Sequence, residues 1–276
     1  MLSAKEQGRK AKSSLNKSIA VHSYKGGTGK SNLSANAALA LAKRGWNVVL
    51  FDFDFRAPSL STLFQMDGVQ YWLDDWLAQR CEVHEALVDL SARFDTKGRF
   101  QVGFTNPSAR SISEMTQHSL SEEWEAKVLQ LLLDAKDLLY ERYQVNFQIF
   151  DTSPGFALSS INAIVASDQV ILVVKMDQLD IVGTQQLIRG VYNQVLGKRP
   201  QLLLNKVPCS LLKTEEDTNR LKRDIEKQLG VSVISIIPCY CEVLENQGRE
   251  VFAVKYPLHP FSQSIEQLAT LFEAAN

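Results

Sequence analysis

Apolar positions along the chain follow two rhythms. Short runs of Val, Ile, Leu and Phe recur at 18–23 (SIAVHS), 47–54 (NVVLFDFD), 100–105 (FQVGFT), 147–151 (FQIFD), 169–174 (QVILVV), 201–205 (QLLLN) and 231–238 (VSVISIIP). Runs of this kind, with little polar alternation, predict strands buried on both faces. Between them lie stretches of helical period. Residues 31–45 are rich in Ala and Leu and close on Gly45, a helix stop signal. Residues 119–143 read as one long helix, with Ser119 and Glu122 spaced as a capping box. Further helices are predicted near 158–166, 179–196, 215–229 and 261–274, and short ones at 71–79 and 82–90. Phe261, Ile265, Leu268 and Leu271 are spaced to put one face of the last helix in the core. Strand–helix alternation throughout predicts a single α/β domain over 18–276. Its form is a doubly wound, mostly parallel sheet with helices on both faces.

Composition narrows this picture in three ways. The chain has 276 residues and a formal net charge of −1, so the whole protein exerts no general pull on nucleic acid or anionic lipid. The charge is uneven, however. Lys5, Arg9, Lys10, Lys12 and Lys17 stand against Glu6 alone in residues 1–17. This stretch is polar and short of large apolar groups, and reads as a flexible basic tail. No apolar run approaches the roughly 18–20 residues that span a bilayer, and the N-terminus lacks the apolar centre of a secretory signal. Four cysteines in this length do not make a disulfide framework. The expected location is the cytoplasm, with reduced thiols.

The chemistry gathers where predicted strands end. After the first strand comes YKGGTGKSN, residues 24–32. Gly26, Gly27 and Gly29 let backbone N–H groups close around an anion at the start of a helix. Thr28 and Asn32 belong to the same cradle. Lys30 supplies a charge for phosphate and Ser31 a hydroxyl for Mg²⁺. This is how a phosphate-binding loop of the P-loop NTPase type ends. The usual first glycine is replaced by Tyr24, and an extra lysine, Lys25, follows it. The second strand ends in Asp52 and Asp54, two apart and therefore on one face. Either can reach a Mg²⁺ shell or an attacking water; otherwise they cap the next turn. The run FQIFD ends in Asp151, a buried strand delivering a carboxylate toward a metal. Gly155, just beyond, offers a backbone N–H to a third phosphate, which makes 151–156 a switch segment. Asn205 ends another strand and carries both a donor and an acceptor, suited to an adenine edge. A guanine site would add an Asp where Pro208 stands. ATP is therefore the expected nucleotide, with Mg²⁺.

Taken together, YKGGTGKS, FDFDFRAPS, FDTSPG and LLLNKV resemble the motifs of the ParA/MinD ATPases, whose P-loop is the deviant Walker A form. The resemblance runs over about residues 18–274. It implies that Lys25 is the signature lysine, crossing to the nucleotide of a second protomer in an ATP-dependent homodimer. It further implies that Lys30 and Ser31 hold phosphate and Mg²⁺, that Asp54 positions the attacking water, and that Asp52 and Asp151 belong to the metal shell. Asn205 and Pro238 would lie at the base. The Tyr24 side chain is expected to point away from the phosphates. The function implied is a slow, partner-stimulated ATPase that acts as a dimerisation switch in partitioning or positioning a cargo, either DNA or a protein complex.

Other features set the alternatives. Cys209, Cys239 and Cys241 suggest the reading of an ATP-dependent carrier of a metal or iron–sulfur cluster. The pair is C-x-C rather than the C-x-x-C of such carriers, and buried cysteines acting as small hydrophobes explain them more simply. A regulatory nucleotide-binding module with negligible turnover is a third reading. The last helix ends acidic, with Glu266 and Glu273, which suits an anionic membrane surface poorly. Residues 220–227 (RLKRDIEK) are the most basic folded stretch, but the neighbouring acids make a solvated helix face the simpler account. Nonspecific DNA stays open as a partner, as does a cargo or activator protein.

Overall fold

The computed structural model describes residues 15–274, apart from the side chain of Val195. Most of the tail 1–17 therefore lies outside the described residues. Lys17 does not: it opens strand β1, Lys17–His22. Its ammonium hydrogen-bonds the carbonyls of Phe272 and Glu273, the last turn of helix Pro260–Ala274. A lysine at that end satisfies carbonyls the helix cannot pair itself.

Eight strands form one sheet among the described residues, in the order β3-β4-β2-β5-β1-β6-β7-β8. They are β1, β2 (Val48–Phe53), β3 (Leu87–Asp89), β4 (Phe100–Gly103), β5 (Phe147–Thr152), β6 (Gln169–Lys175), β7 (Gln201–Val207) and β8 (Val233–Pro238). All neighbours pair in parallel except β3 with β4. The doubly wound, mostly parallel expectation holds, with an antiparallel edge added. That edge corrects the short helix predicted at 82–90. Val88 sits opposite Val102, and a ladder partner on the sheet edge outweighs local helical spacing.

Side-chain alternation assigns each strand two faces. Val48 and Leu50 of β2, and Phe147 and Ile149 of β5, join the core under helix Lys30–Lys43 and helix Pro260–Ala274. Phe51, Phe53 and Phe150 turn to the opposite face, against helix Glu122–Glu141. Helix Lys30–Lys43 is buried along almost its whole length, as its Ala-rich sequence allows. On the far side of β6 and β7, helix Gln178–Leu187 runs on into a π-helical segment, Ile188–Leu196.

The long helix predicted at 119–143 is shorter and capped elsewhere. Helix Ala109–His118 precedes it, and Ser119 closes that helix instead of opening the next. The cap is Ser121, whose hydroxyl accepts from Trp124 N–H. Leu271 is also displaced from its expected place: Phe261, Ile265, Leu268 and Phe272 are buried, whereas Leu271 is exposed.

Candidate nucleotide site

The same alternation builds the site. In β2 the even-numbered positions face helix Lys30–Lys43, and Asp52 and Asp54 continue that series. In β5 the odd-numbered positions do so, which brings in Asp151. Asp52 and Asp151 are direct neighbours in the parallel register. Three carboxylates thus converge at the strand ends, on the face where the helix begins with Lys30. Lys30 is 6% exposed, Asp54 8%, and Asp52 and Asp151 are fully buried.

The loop before that helix is held by β7, two strands away from β1. Asn205 Nδ2 donates to the Thr28 carbonyl at 2.8 Å, and Lys206 Nζ donates to the Gly27 carbonyl at 2.9 Å. Gly29 has φ +97°, and a Cβ there would stand 2.5 Å from Asn205 Nδ2. Both the dihedral and the space require glycine. Lys206 went unread in the sequence, where it is one more lysine after a strand.

Two cavities meet at this loop. One, of about 390 Å³, is lined by Gly26, Gly27, Lys30, Asp54 and Arg56. The other, of about 470 Å³, is lined by Asn205, Lys206, Pro238, Tyr240 and Leu63. Gly29, Ser31, Asn32 and Ser59 line both. A phosphate cradle therefore opens into a partly apolar slot with room for a base. Arg56 in the first cavity and Tyr240 in the second are additions to the residues picked from sequence. Lys25 lines neither cavity.

The acids are not equivalent. Asp54 Oδ1 accepts from the Ser153 hydroxyl at 2.8 Å and from Ala57 N–H at 3.2 Å. Asp52 gives one oxygen to Leu60 N–H and the other to Asp54 N–H. Burial, then the Asp151 charge, holds its carboxyl well above the usual carboxylate range. Burial pushes Asp151 up to about 6, against the pull of Lys30 and the Ser31 hydroxyl. Its Oδ1 accepts weakly from Ser34, and its Oδ2 is buried without a partner. A carboxylate oxygen so placed is costly unless a cation meets it. Crowded acids, an orphaned oxygen and a neighbouring hydroxyl fit Mg²⁺, which takes few protein ligands and completes its shell with phosphate and water.

The switch segment is tied to the loop before the phosphate cradle. Gly155 N–H is engaged, donating to the Ser23 carbonyl at 2.9 Å. His22, fully buried on β1, meets this segment through Thr152. Its Nδ1 lies 2.7 Å from Thr152 Oγ1, and the ring also meets backbone hydrogen-bond partners at Gly155 and Ser153. Burial, aided by Lys30, lowers the imidazole to about 3, and it stays neutral at ordinary pH.

The cysteines are not buried. Cys209 and Cys241 are exposed and Cys239 is half-buried, because they lie in the turns beyond β7 and β8 and not within the sheet. Among the described residues no group of three or more His, Cys, Asp and Glu side chains is arranged to hold a metal alone. No helix there is long and apolar enough to cross a membrane.

Known proteins share this fold. A family model described as an AAA domain matches residues 16–205. The septum site-determining protein MinD of Bacillus subtilis is 27% identical over 241 residues, covering 86% of this chain and 82% of that one. Among solved structures, MinD of Pyrococcus horikoshii in complex with Mg-ADP superposes with a TM-score of 0.72 at 20% identity, covering 94% and 97% of the two chains. A ParA family ATPase from Chlorobium tepidum gives 0.70 at 17% identity, covering 93% and 99%. The chain belongs to the ParA/MinD family of nucleotide-binding ATPases.

Proposed function

We propose that this protein is a Mg²⁺-dependent ATPase that dimerises on ATP, hydrolyses it slowly until a partner stimulates it, and so serves as a timed switch in partitioning or positioning a cargo. The single observation that carries the dimer reading is the split between two lysines. Lys30 lines the phosphate cavity, while Lys25, five residues earlier, lines neither cavity of its own protomer. A cation spent outside its own site makes sense if a second protomer presents it to the first.

In this reading the loop N–H groups from Gly26 to Ser31 and the Lys30 ammonium bind the ATP phosphates. Mg²⁺, held by Ser31 with Asp151 and Asp52 behind it, would neutralise phosphate charge. Asp54 is fixed by Ser153 and Ala57. It accepts a hydrogen bond from the attacking water and orients it in line. The partner's Lys25 adds positive charge where the transition state gathers negative charge, as an arginine finger does in trans. Adenine fills the second cavity, between Pro238 and Asn205. The relation to MinD and ParA proteins supports this reading, as does the joined pair of cavities. Two surfaces are compatible with it: DNA or acidic lipid met by the basic residues 1–14, and a protein cargo.

The test mixes two inactive variants. Lys25→Ala should bind ATP as a monomer, and Asp54→Ala should bind ATP and accumulate as a dimer. In a mixed dimer, the subunit carrying Lys25→Ala keeps Asp54 and receives Lys25 from its partner. One complete site should return part of the turnover. Heterodimers that form and stay inactive would show that the lysine does not act in trans.

A further inference from the structure

The Lys25 turn is held in place by contacts that the nucleotide reading does not use. The Tyr24 ring is seated against Gly183 of helix Gln178–Leu187. A Cβ on Gly183 would stand 1.9, 2.1 and 2.5 Å from three atoms of the Tyr24 ring. No side chain other than hydrogen fits under it. Gly183 is in mid-helix and its backbone is ordinary there, so alanine would otherwise be the better helix residue. The glycine is explained by the ring.

The same turn is tied to the switch segment. Gly155 N–H donates to the Ser23 carbonyl, and the Ser23 hydroxyl donates to the Lys25 carbonyl at 2.6 Å. The Phe156 ring meets Tyr24 edge-on at 6.4 Å and 84°, a favourable aromatic pairing. Phe156 is itself 54% exposed. Close to this turn lie Asp177 and Asp180. Burial holds Asp180 above the usual carboxylate range, while the Lys175 N–H and then the Lys175 and Lys25 charges pull it back.

We infer that Tyr24 is a positioning residue: its ring, seated on Gly183 and edged by Phe156, sets the direction of Lys25 and couples that direction to the switch segment 151–156. The inference rests on the reading of Lys25 as the residue that acts across the dimer. A third phosphate that draws the Gly155 N–H away from Ser23 would shift Phe156 and the Tyr24 seat together. Lys25 would then be presented outward only when ATP is bound.

The experiment is a double-mutant cycle on the full chain, with Lys25→Ala run beside it. Three quantities are read for each variant: ATP affinity, ATP-dependent dimer formation and turnover. Gly183→Ala should push the ring off its seat and lower turnover about tenfold or more, the scale on which small misplacements act. Its ATP affinity should stay within about twofold, since the phosphate cradle is untouched. Tyr24→Phe should keep turnover, because the ring and not the hydroxyl fills the seat. Tyr24→Gly should lower turnover several-fold, and in that background Gly183→Ala should cost nothing more, the non-additivity expected of one contact. Gly183→Ala active as wild type, or equally damaging with and without the ring, overturns the positioning role. If Lys25→Ala itself dimerises and turns over as wild type, both the trans reading and this inference fall.

Discussion

The two lysines of the loop sit in opposite surroundings. Lys30 is almost fully buried at the start of a helix that is itself buried along its length, with glycines and three carboxylates around it. Lys25 is half-exposed on a turn held by one backbone hydrogen bond, one hydroxyl and the Tyr24 ring. The first region is over-determined: sheet register, loop dihedrals and the ties from Asn205 and Lys206 all fix the same cradle. The second has few ties: the Gly155–Ser23 bond, the Ser23 hydroxyl and the Tyr24 ring on Gly183. Binding needs a preorganised anion site, whereas a switch needs an element with two arrangements of similar energy. The contrast suits the proposed division, with binding on Lys30 and switching on Lys25.

The largest expected effect breaks the first region. Lys30→Ala takes from Asp151 the cation that offsets its burial and removes the charge proposed to meet phosphate. Nucleotide binding should be lost altogether by titration calorimetry, whatever the state of Lys25. ATP affinity that survives within tenfold would move the phosphate-binding role to Arg56, the other cation lining that cavity.

How much of this was legible in the sequence follows the same division. Strands ending in Asp52, Asp54, Asp151 and Asn205 could be read because a two-residue period and unbroken apolar runs leave little freedom. The phosphate loop could be read because its chemistry is written in consecutive residues. What could not be read depends on contacts between distant segments. Gly183 is an unremarked helix glycine until Tyr24, nearly 160 residues earlier, is laid on it. Lys206 gains meaning only from the Gly27 carbonyl. The edge strand β3 and the exposed cysteines were misjudged because local pattern does not show which partner a backbone or side chain finds.

A second prediction concerns pH and the packing behind the switch. Glu125, on helix Glu122–Glu141, is 7% exposed and accepts from Asn162 Nδ2 at 2.6 Å. Asn162 lies on helix Leu158–Ala166, which follows the switch segment. Burial raises the Glu125 carboxyl from 4.5 to about 7. The folded protein therefore holds a proton there that the unfolded chain has released. The resulting stability is fully present below about pH 4.5 and is lost as pH rises through about 7. The loss amounts to about 3 kcal/mol at most. Glu125→Gln should flatten this part of the stability profile in urea titrations from pH 5 to 8. An unchanged slope would show that Glu125 titrates normally.

The smallest effect sharpens the boundary between cradle and base slot. Asn205 lines the larger cavity and also holds the loop through the Thr28 carbonyl. One amide hydrogen and the Oδ1 acceptor remain beyond that bond, enough to meet an adenine edge. If Asn205 serves the base, Asn205→Ala should weaken ATP more than inorganic triphosphate, by the roughly 1–3 kcal/mol of lost polar contacts. If it serves the loop alone, both ligands should lose equally, because both need the same Thr28 and Gly29 geometry. Lys206→Ala is the internal control. Its ammonium is spent on the Gly27 carbonyl, so its removal should weaken ATP and triphosphate alike. A base-selective loss in Asn205→Ala beside an unselective one in Lys206→Ala would place the border of the adenine slot between two consecutive residues of β7.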